Sequence, residues 1–379
     1  MLALVLSAGH WLALAYPRQY WKDPPPPERT ERPNDFCPDG MATQIELFAT
    51  WYRGDLEAGR DLLHWLRHSH QSSTLLVGVI AGGFSALGLP AHFSFALLSA
   101  LASVLLTAIL WRMWGDSSAS SLRLVALYAF LLHPATFRCL VRPQTDALVA
   151  LSLVLGPFLV VRSVRRGVSA MDPWLLALSQ SAAMFVKIHA VSFAVLPAIC
   201  AFAIGQRGRT WMRTVVFGTF VPLAVWVLVF GSFGLWNSIP KAWATKETFY
   251  QSWDVLSVLR NLWPTVLPLL LSIALCARRP GLEARCASWI AFFYAAILVG
   301  CGIPPFMRFV YPALGPLMVL AVSGTEERPL PGWKKSSWSV LVLAPVIITL
   351  GLCVVLFYNR YLGPVRDLDP WSSRLYTFV

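Results

Sequence analysis

The stretch Ser73–Pro90, STLLVGVIAGGFSALGLP, decides how this chain is laid out. It is apolar enough to enter a bilayer, yet it carries Gly78, Gly82, Gly83 and Gly88 and stops at Pro90. The same letters therefore read either as a full crossing or as a helix that enters and stays on one side. Charge further along chooses between them. If segment 74–90 is a re-entrant or in-plane helix, every loop on one side of the later spans is basic. These loops carry Arg112 and Arg123; Arg162, Arg165 and Arg166; Arg207, Arg209 and Arg213; Arg278, Arg279 and Arg285; and Arg328, Lys334 and Lys335. Positive loops belong on the cytosolic side. A crossing at 74–90 would put all of them on the opposite side, so the segment is read as non-crossing.

Composition makes the rest a membrane protein. Of 379 residues, 56% are apolar and 13% charged. The expected spans are Leu2–Ala15, retained because it lacks a basic leader and a cleavage site, then Ser94–Trp111, Leu124–Thr136, Ala147–Val161, Trp174–Val186 and Ala190–Ile204. They continue with Val215–Leu235, Leu262–Ala277, Ala287–Gly300, Phe306–Val322 and Ser339–Phe357. The fold class is all-α and polytopic: about eleven transmembrane helices, the N-terminus inside, and a single integral membrane domain over 1–379. The net charge of +12 is accounted for by those basic loops, which removes nucleic acid as a partner and leaves membrane lipids. Seven cysteines without CxxC spacing read as packing residues.

The one long polar segment, 17–73, then lies outside as a loop. It holds Pro24–Pro27, a stiff spacer, and Asp35 and Asp39 in RPNDFCPDG, where Pro38 and Gly40 argue for a turn. From Met41 onward Ile45, Phe48, Tyr52, Leu56, Leu63 and Leu66 recur at helical spacing among charged residues, as in helices lying along an interface, with Gly54 and Gly59 as breaks. The same topology brings Arg138, Arg142 and Asp146, Lys187 and His189, Arg308, and the aromatic loop 236–261 to the outer side.

Acids in water beside Arg and Lys at span ends fit sugar transfer from a lipid phosphate. The donor's chain lies in the bilayer and its phosphate at the interface, so fixed cations must meet the phosphate where spans end. A carboxylate in the nearby loop accepts the proton of an attacking hydroxyl. The cations offset charge on the departing phosphate oxygen.

The order of features resembles the GT-C membrane glycosyltransferases, which include polyprenyl- and dolichyl-phosphate-dependent mannosyltransferases and the aminoarabinose transferases of lipid A. PDGMATQIELFATWYRGD (38–55) looks like the acid-bearing first outer loop of that family, and HSHQSSTLLVGVIAGGFSALGLP (68–90) like the segment that follows it. HPATFRCLVRPQTDALVALSLVL (133–155) resembles its outer turn with an acid before an apolar span. FVKIHAVSFAVLPA (185–198) and RFVYPALGPLMVLA (308–321) resemble its Lys-bearing helix start and its late Arg-bearing span. The resemblance implies an inverting hexosyltransferase, with mannose among the candidate sugars, in a bacterial plasma membrane facing the periplasm or exterior, or alternatively in the endoplasmic reticulum membrane facing the lumen. Its substrates would be a polyprenyl-phosphate sugar donor and a lipid, glycan or protein acceptor. Asp39 becomes the candidate base and Asp35 the second. Arg138, Arg142, Lys187 and Arg308 become donor-phosphate contacts, and His68, His70, Trp243 and Tyr250 substrate contacts. No cofactor is firmly implied; a divalent cation, Mg or Mn, is left open.

Plainer readings stand beside these. Asp35 and Asp39 also suit a turn, Arg138 and Arg142 suit snorkelling anchors, and Asp146 suits a helix cap. The histidines suit ordinary hydrogen bonding, and the tryptophans an aromatic belt. Lys187 is the hardest to explain away, since a cation between apolar runs costs ~2.5–3.5 kcal/mol at mid-membrane. The competing functional classes are a lipid or solute transporter or flippase and a noncatalytic partner of a glycosyltransferase.

Overall fold

The computed structural model describes residues 39–69, 74–113, 127, 130–131, 145–206, 208–237, 239–240, 282–300, 311–313, 315–316 and 319. Regular structure among them is helical, without strands. In chain order the helices are α1 (Asp39–Tyr52), α2 (Leu56–His68), α3 (Leu75–Ala86), α4 (Ala91–Met113), α5 (Asp146–Arg166) and α6 (Asp172–Met184). A 3-10 helix (Ile188–Val195), α7 (Leu196–Ala203), α8 (Arg209–Ser232), a 3-10 turn (Leu235–Asn237) and α9 (Leu282–Gly300) follow. The chain divides into two compact units, one of Pro26–Leu106 with Arg142–Ser252, the other of Met1–Pro25, Thr107–Val141 and Trp253–Val379.

Three described helices are long and apolar enough to cross a bilayer: Phe93–Met113 and Asp146–Arg166, each of 21 residues, and Arg209–Ser232, of 24. At ~1.5 Å per residue, 21 residues rise about 31 Å, the thickness of the hydrocarbon layer. They overlap the expected spans Ser94–Trp111, Ala147–Val161 and Val215–Leu235. Apolar side chains also point outward, Phe220 at 64% and Leu228 at 65% exposure on α8, a surface that suits lipid and not water. Hydroxyls inside these helices bond to backbone carbonyls: Ser103 Oγ donates to Ser99 O at 2.9 Å and Thr214 Oγ1 to Thr210 O at 3.0 Å in their own helices, and Thr219 Oγ1 to Ala194 O of the 3-10 helix at 3.1 Å.

Helix α3 has 12 residues, a rise of only about 18 Å. It packs along α1, whose buried positions Met41, Gln44, Ile45, Phe48 and Ala49 fall on one face. The close approach depends on glycine, as in the small-xxx-small packing of membrane helices. A Cβ on Gly78 would lie 2.6 Å from Gln44 Nε2, and one on Gly82 would overlap Phe48 Cβ.

Helices α1 and α2 are separated at Gly54, whose φ of +96° ends α1 at a conformation that favours glycine. Gly59, expected to be a second break, instead lies inside α2 and lets Trp51 pack against it. Leu56, expected on the apolar face, is 79% exposed, and the buried positions of α2 are Ala58, Leu62 and Leu66. Asp39 and Gly40, expected in a turn, are the first two residues of α1.

Two arginines tie this helix pair to the apolar helices. Arg53 Nη2 donates to Ser85 O at 2.6 Å, at the last turn of α3. Arg67 Nε donates to Phe233 O at 3.0 Å, at the end of α8. Both satisfy carbonyls that a helix C-terminus leaves without intrahelical partners. Phe48, Leu62, Leu66, Phe230 and Leu235 form the cluster beneath, with Leu47, Trp65, Leu75, Phe185 and Trp226 packed against it.

The expected spans Trp174–Val186 and Ala190–Ile204 are shorter than a crossing. α6 has 13 residues and is followed by a break, an eight-residue 3-10 helix and the eight residues of α7. α6 packs on α5 and α8, where Gly156 admits Gln180 and Gly218 admits Leu176.

In the other unit α9 covers the expected span Ala287–Gly300 and buries Cys286, Ala287, Ile290, Ala291 and Tyr294. The Phe130 and Tyr311 rings stack at 5.8 Å. Cys200 and Cys286 are buried free thiols, in keeping with packing roles. Spans Leu2–Ala15, Leu262–Ala277 and Ser339–Phe357, and most of Leu124–Thr136 and Phe306–Val322, lie outside the described residues.

Candidate functional site

Helix α2 begins at a good cap: Asp55 Oδ1 accepts from the N–H groups of Glu57 at 2.9 Å and Ala58 at 3.2 Å. This fixes the helix phase. With Ala58, Leu62 and Leu66 turned to the core, Asp61, His64 and His68 follow one another along one exposed edge at spacings of three and four. Together with Trp65, Ser69 and Leu47 of α1 they line a groove of about 530 Å³, within the ~300–1,000 Å³ of small-molecule sites.

The groove is pre-oriented. Trp65 is packed on the core cluster, which holds its indole in place. The His64 and His68 rings lie 4.3 Å apart, and His68 Nδ1 is 2.8 Å from His64 O. A carbonyl oxygen only accepts, so Nδ1 carries the proton and Nε2 is the basic nitrogen of neutral His68. Among the described residues the lining has one carboxylate, two imidazoles, an indole and a hydroxyl, and no Lys or Arg. That set suits a polyol, whose hydroxyls bond to the carboxylate and imidazoles and whose C–H face packs on the indole.

A second polar feature lies at the break after α6. Lys187 is extended, with φ −163° and ψ 147°, between the last turn of α6 and the 3-10 helix. Its Nζ is 3.4 Å from Asp146 Oδ1, at the start of α5. The Asp146 side chain is 3% exposed and that of Lys187 27%. Asp146, for which a capping role was the plainer expectation, is thus the buried partner of a cation. The break is joined to the rest of the unit two residues earlier, where Phe185 packs on the core cluster and its carbonyl accepts from Leu76 N–H of α3 at 3.0 Å. Phe185 therefore rests on the same cluster as Leu47 and Trp65 of the groove.

Of the residues expected to act, His68 lines the groove, Lys187 occupies the break and Asp39 begins α1. Asp35, His70, Arg138, Arg142, Trp243, Tyr250 and Arg308 lie outside the described residues. Asp61, His64 and Trp65 were not singled out from the sequence. Their spacing along an amphipathic helix was the available signal, and an ordinary solvated face absorbed it. No group of three His, Cys, Asp or Glu placed to hold a metal occurs among the described residues. The chain matches no protein-family model, no curated protein and no solved structure.

Proposed function

We propose that this chain is an inverting membrane glycosyltransferase of GT-C type. In this reading it has about eleven spans, with segment 17–73 on the outer side and α3 as a re-entrant helix. It moves a hexose from a polyprenyl-phosphate donor to a hydroxyl of a lipid, glycan or protein acceptor. The observation that carries the reading is one core cluster supporting both a groove lined by hydrogen-bonding groups and an indole and a helix break that contains a lysine. A lipid-linked sugar demands that pairing, with hydrogen-bonding groups for the sugar and a cation at the membrane for the phosphate.

The reaction balances as follows. The acceptor oxygen attacks the anomeric carbon and gives its proton to a carboxylate, for which Asp39 is the first candidate and Asp35 the second. The bond from that carbon to the phosphate oxygen breaks, and its electron pair stays on the phosphate. The phosphodiester leaves as polyprenyl phosphate with one more negative charge, which Lys187, Arg138, Arg142 and Arg308 are assigned to offset. His68, with His70, Trp243 and Tyr250, is assigned to the substrate, and Mg or Mn remains an open cofactor.

Purified protein in liposomes, given polyprenyl-phosphate hexose and candidate acceptor lipids, is expected to yield a glycoside of inverted anomeric configuration. Asp39→Asn should abolish the product while leaving folding intact, and undiminished transfer by Asp39→Asn would remove the assigned base. A second reading, transport of a lipid or solute, draws on the broken helix with its ion pair at Lys187, the kind of discontinuity on which transporters build binding sites. Movement of solute across the liposome wall without a glycosidic product would favour it.

A further inference from the structure

We infer that the outward face of α8, at its N-terminal end, binds an anionic phospholipid, with an acyl chain along the helix and the phosphate on Arg209 and Arg213. α8 is one of the helices long and apolar enough to cross a bilayer, and this site does not depend on the transfer chemistry. Arg209, Arg213, Val216, Phe220 and Val227 follow one another at spacings of four, three, four and seven, so they fall on one side of the helix. All five are exposed. The buried positions Trp211, Thr214, Gly218 and Pro222 turn to the bundle instead. The stripe is thus apolar along its length and doubly cationic at one end, the order in which a phospholipid presents its chain and its phosphate.

A neighbouring ring sets the level of the headgroup. Trp174 of α6 is exposed and stands edge-on to Phe217 of α8, with ring centres 4.7 Å apart. An exposed indole on a membrane helix belongs at the boundary between lipid and water. Arg213 is four residues, about 6 Å, nearer the helix end than Phe217, and Arg209 is a turn further. Both guanidinium groups therefore stand at phosphate depth, where their planar forks can each take two oxygens. The local electrostatics also call for an anion. Arg209 opens the first turn of α8, which holds no acid, and Gly208 before it has no side chain to cap the helix. Cations at the positive end of a helix dipole are unfavourable until a negative charge joins them. Asp172, at the start of α6, accepts from Ser169 N–H at 2.8 Å within its own turn. The break at Lys187 follows the opposite end of α6, so the two phosphate sites are separate.

The test titrates the full chain in detergent with dioleoylphosphatidylglycerol or dioleoylphosphatidylcholine and counts bound lipid by native mass spectrometry. The anionic lipid is expected to bind about tenfold tighter or more. Arg209→Gln and Arg213→Gln, both at exposed positions, should each weaken its binding about fivefold, and the pair about thirtyfold. Arg166→Gln removes the same charge from the end of α5, on the same side of the bundle but off the stripe, and should stay within about twofold of wild type. Glycerol 3-phosphate, which carries the phosphate without a chain, should not displace the lipid. Equal binding of the two lipids would overturn the site, as would a loss in Arg166→Gln as large as in Arg213→Gln, the mark of diffuse surface charge. Displacement by glycerol 3-phosphate would make it a free-anion site, and a lipid-free dimer would put a second copy of the chain on this face; either result overturns the assignment to phospholipid.

Discussion

Adjacent glycines on α3 face α1 very differently, and substituting each by alanine isolates the packing that holds α1 in place. A Cβ on Gly82 would overlap Phe48 Cβ and lie 3.3 Å from Ile45 O and 3.4 Å from Ala49 N, all atoms of the α1 backbone or its first side-chain carbon. None can swing aside, so α1 itself must move. A Cβ on Gly83 would meet only Tyr52 Cε2, at 4.0 Å, an ordinary contact. Both changes gain about the same ~1 kcal/mol of helix propensity, so their difference isolates the packing. Overpacking of this kind costs roughly 1–3 kcal/mol, so Gly82→Ala should fall below Gly83→Ala by about that amount in unfolding titrations in mixed micelles. Gly83→Ala should equal or exceed wild type. Because α1 begins with Asp39 and supplies Leu47 to the groove, Gly82→Ala should also reduce ligand binding and transfer, which Gly83→Ala should leave intact. Equal stability of the two variants would refute the tight α1–α3 contact.

Further outcomes are expected from the same features. Cysteines placed at Ser118 and Ser169 should react with membrane-impermeant reagents from the cytosolic side, and those at Thr43 and Ser252 from the outside; the reverse pattern would refute the topology. Arg67→Ala removes the bond to Phe233 O and should lower stability by about 0.5–1 kcal/mol in the same titrations, with no measurable change refuting its capping role. Burial pushes the Tyr52 phenol above its ordinary value of 10.0. Its contribution is therefore complete below that value and is lost as pH rises through the higher folded pKa, because the unfolded chain ionises first. Tyr52→Phe should flatten this alkaline loss, and an identical pH profile would show that Tyr52 is not its source.

Much of this arrangement was legible in the amino-acid letters because it follows from local rules. The spans that became α4, α5 and α8 announce themselves by length and hydropathy, and Gly54 stands where a polar linker needs a positive φ. The break at Lys187 was only half legible. The lysine between apolar runs was conspicuous, but the runs on either side still read as spans. What interrupts the helix there involves partners distant in sequence, Asp146 for the side chain and Leu76 for the Phe185 carbonyl. Gly59 misled for the same reason: its freedom serves the packing of Trp51, a tertiary demand, and not a turn. In the groove, Asp61, His64 and His68 show a clear stripe, yet nothing local says that Leu47 of another helix closes the wall and makes a site of it.

The most direct measurement is a cryo-EM map of the chain in a lipid nanodisc with undecaprenyl phosphate. The proposed chemistry predicts headgroup density against Lys187 Nζ at the break after α6, with the isoprenoid tail running into the bilayer. Headgroup density elsewhere, or a map with no headgroup bound at Lys187, would contradict it.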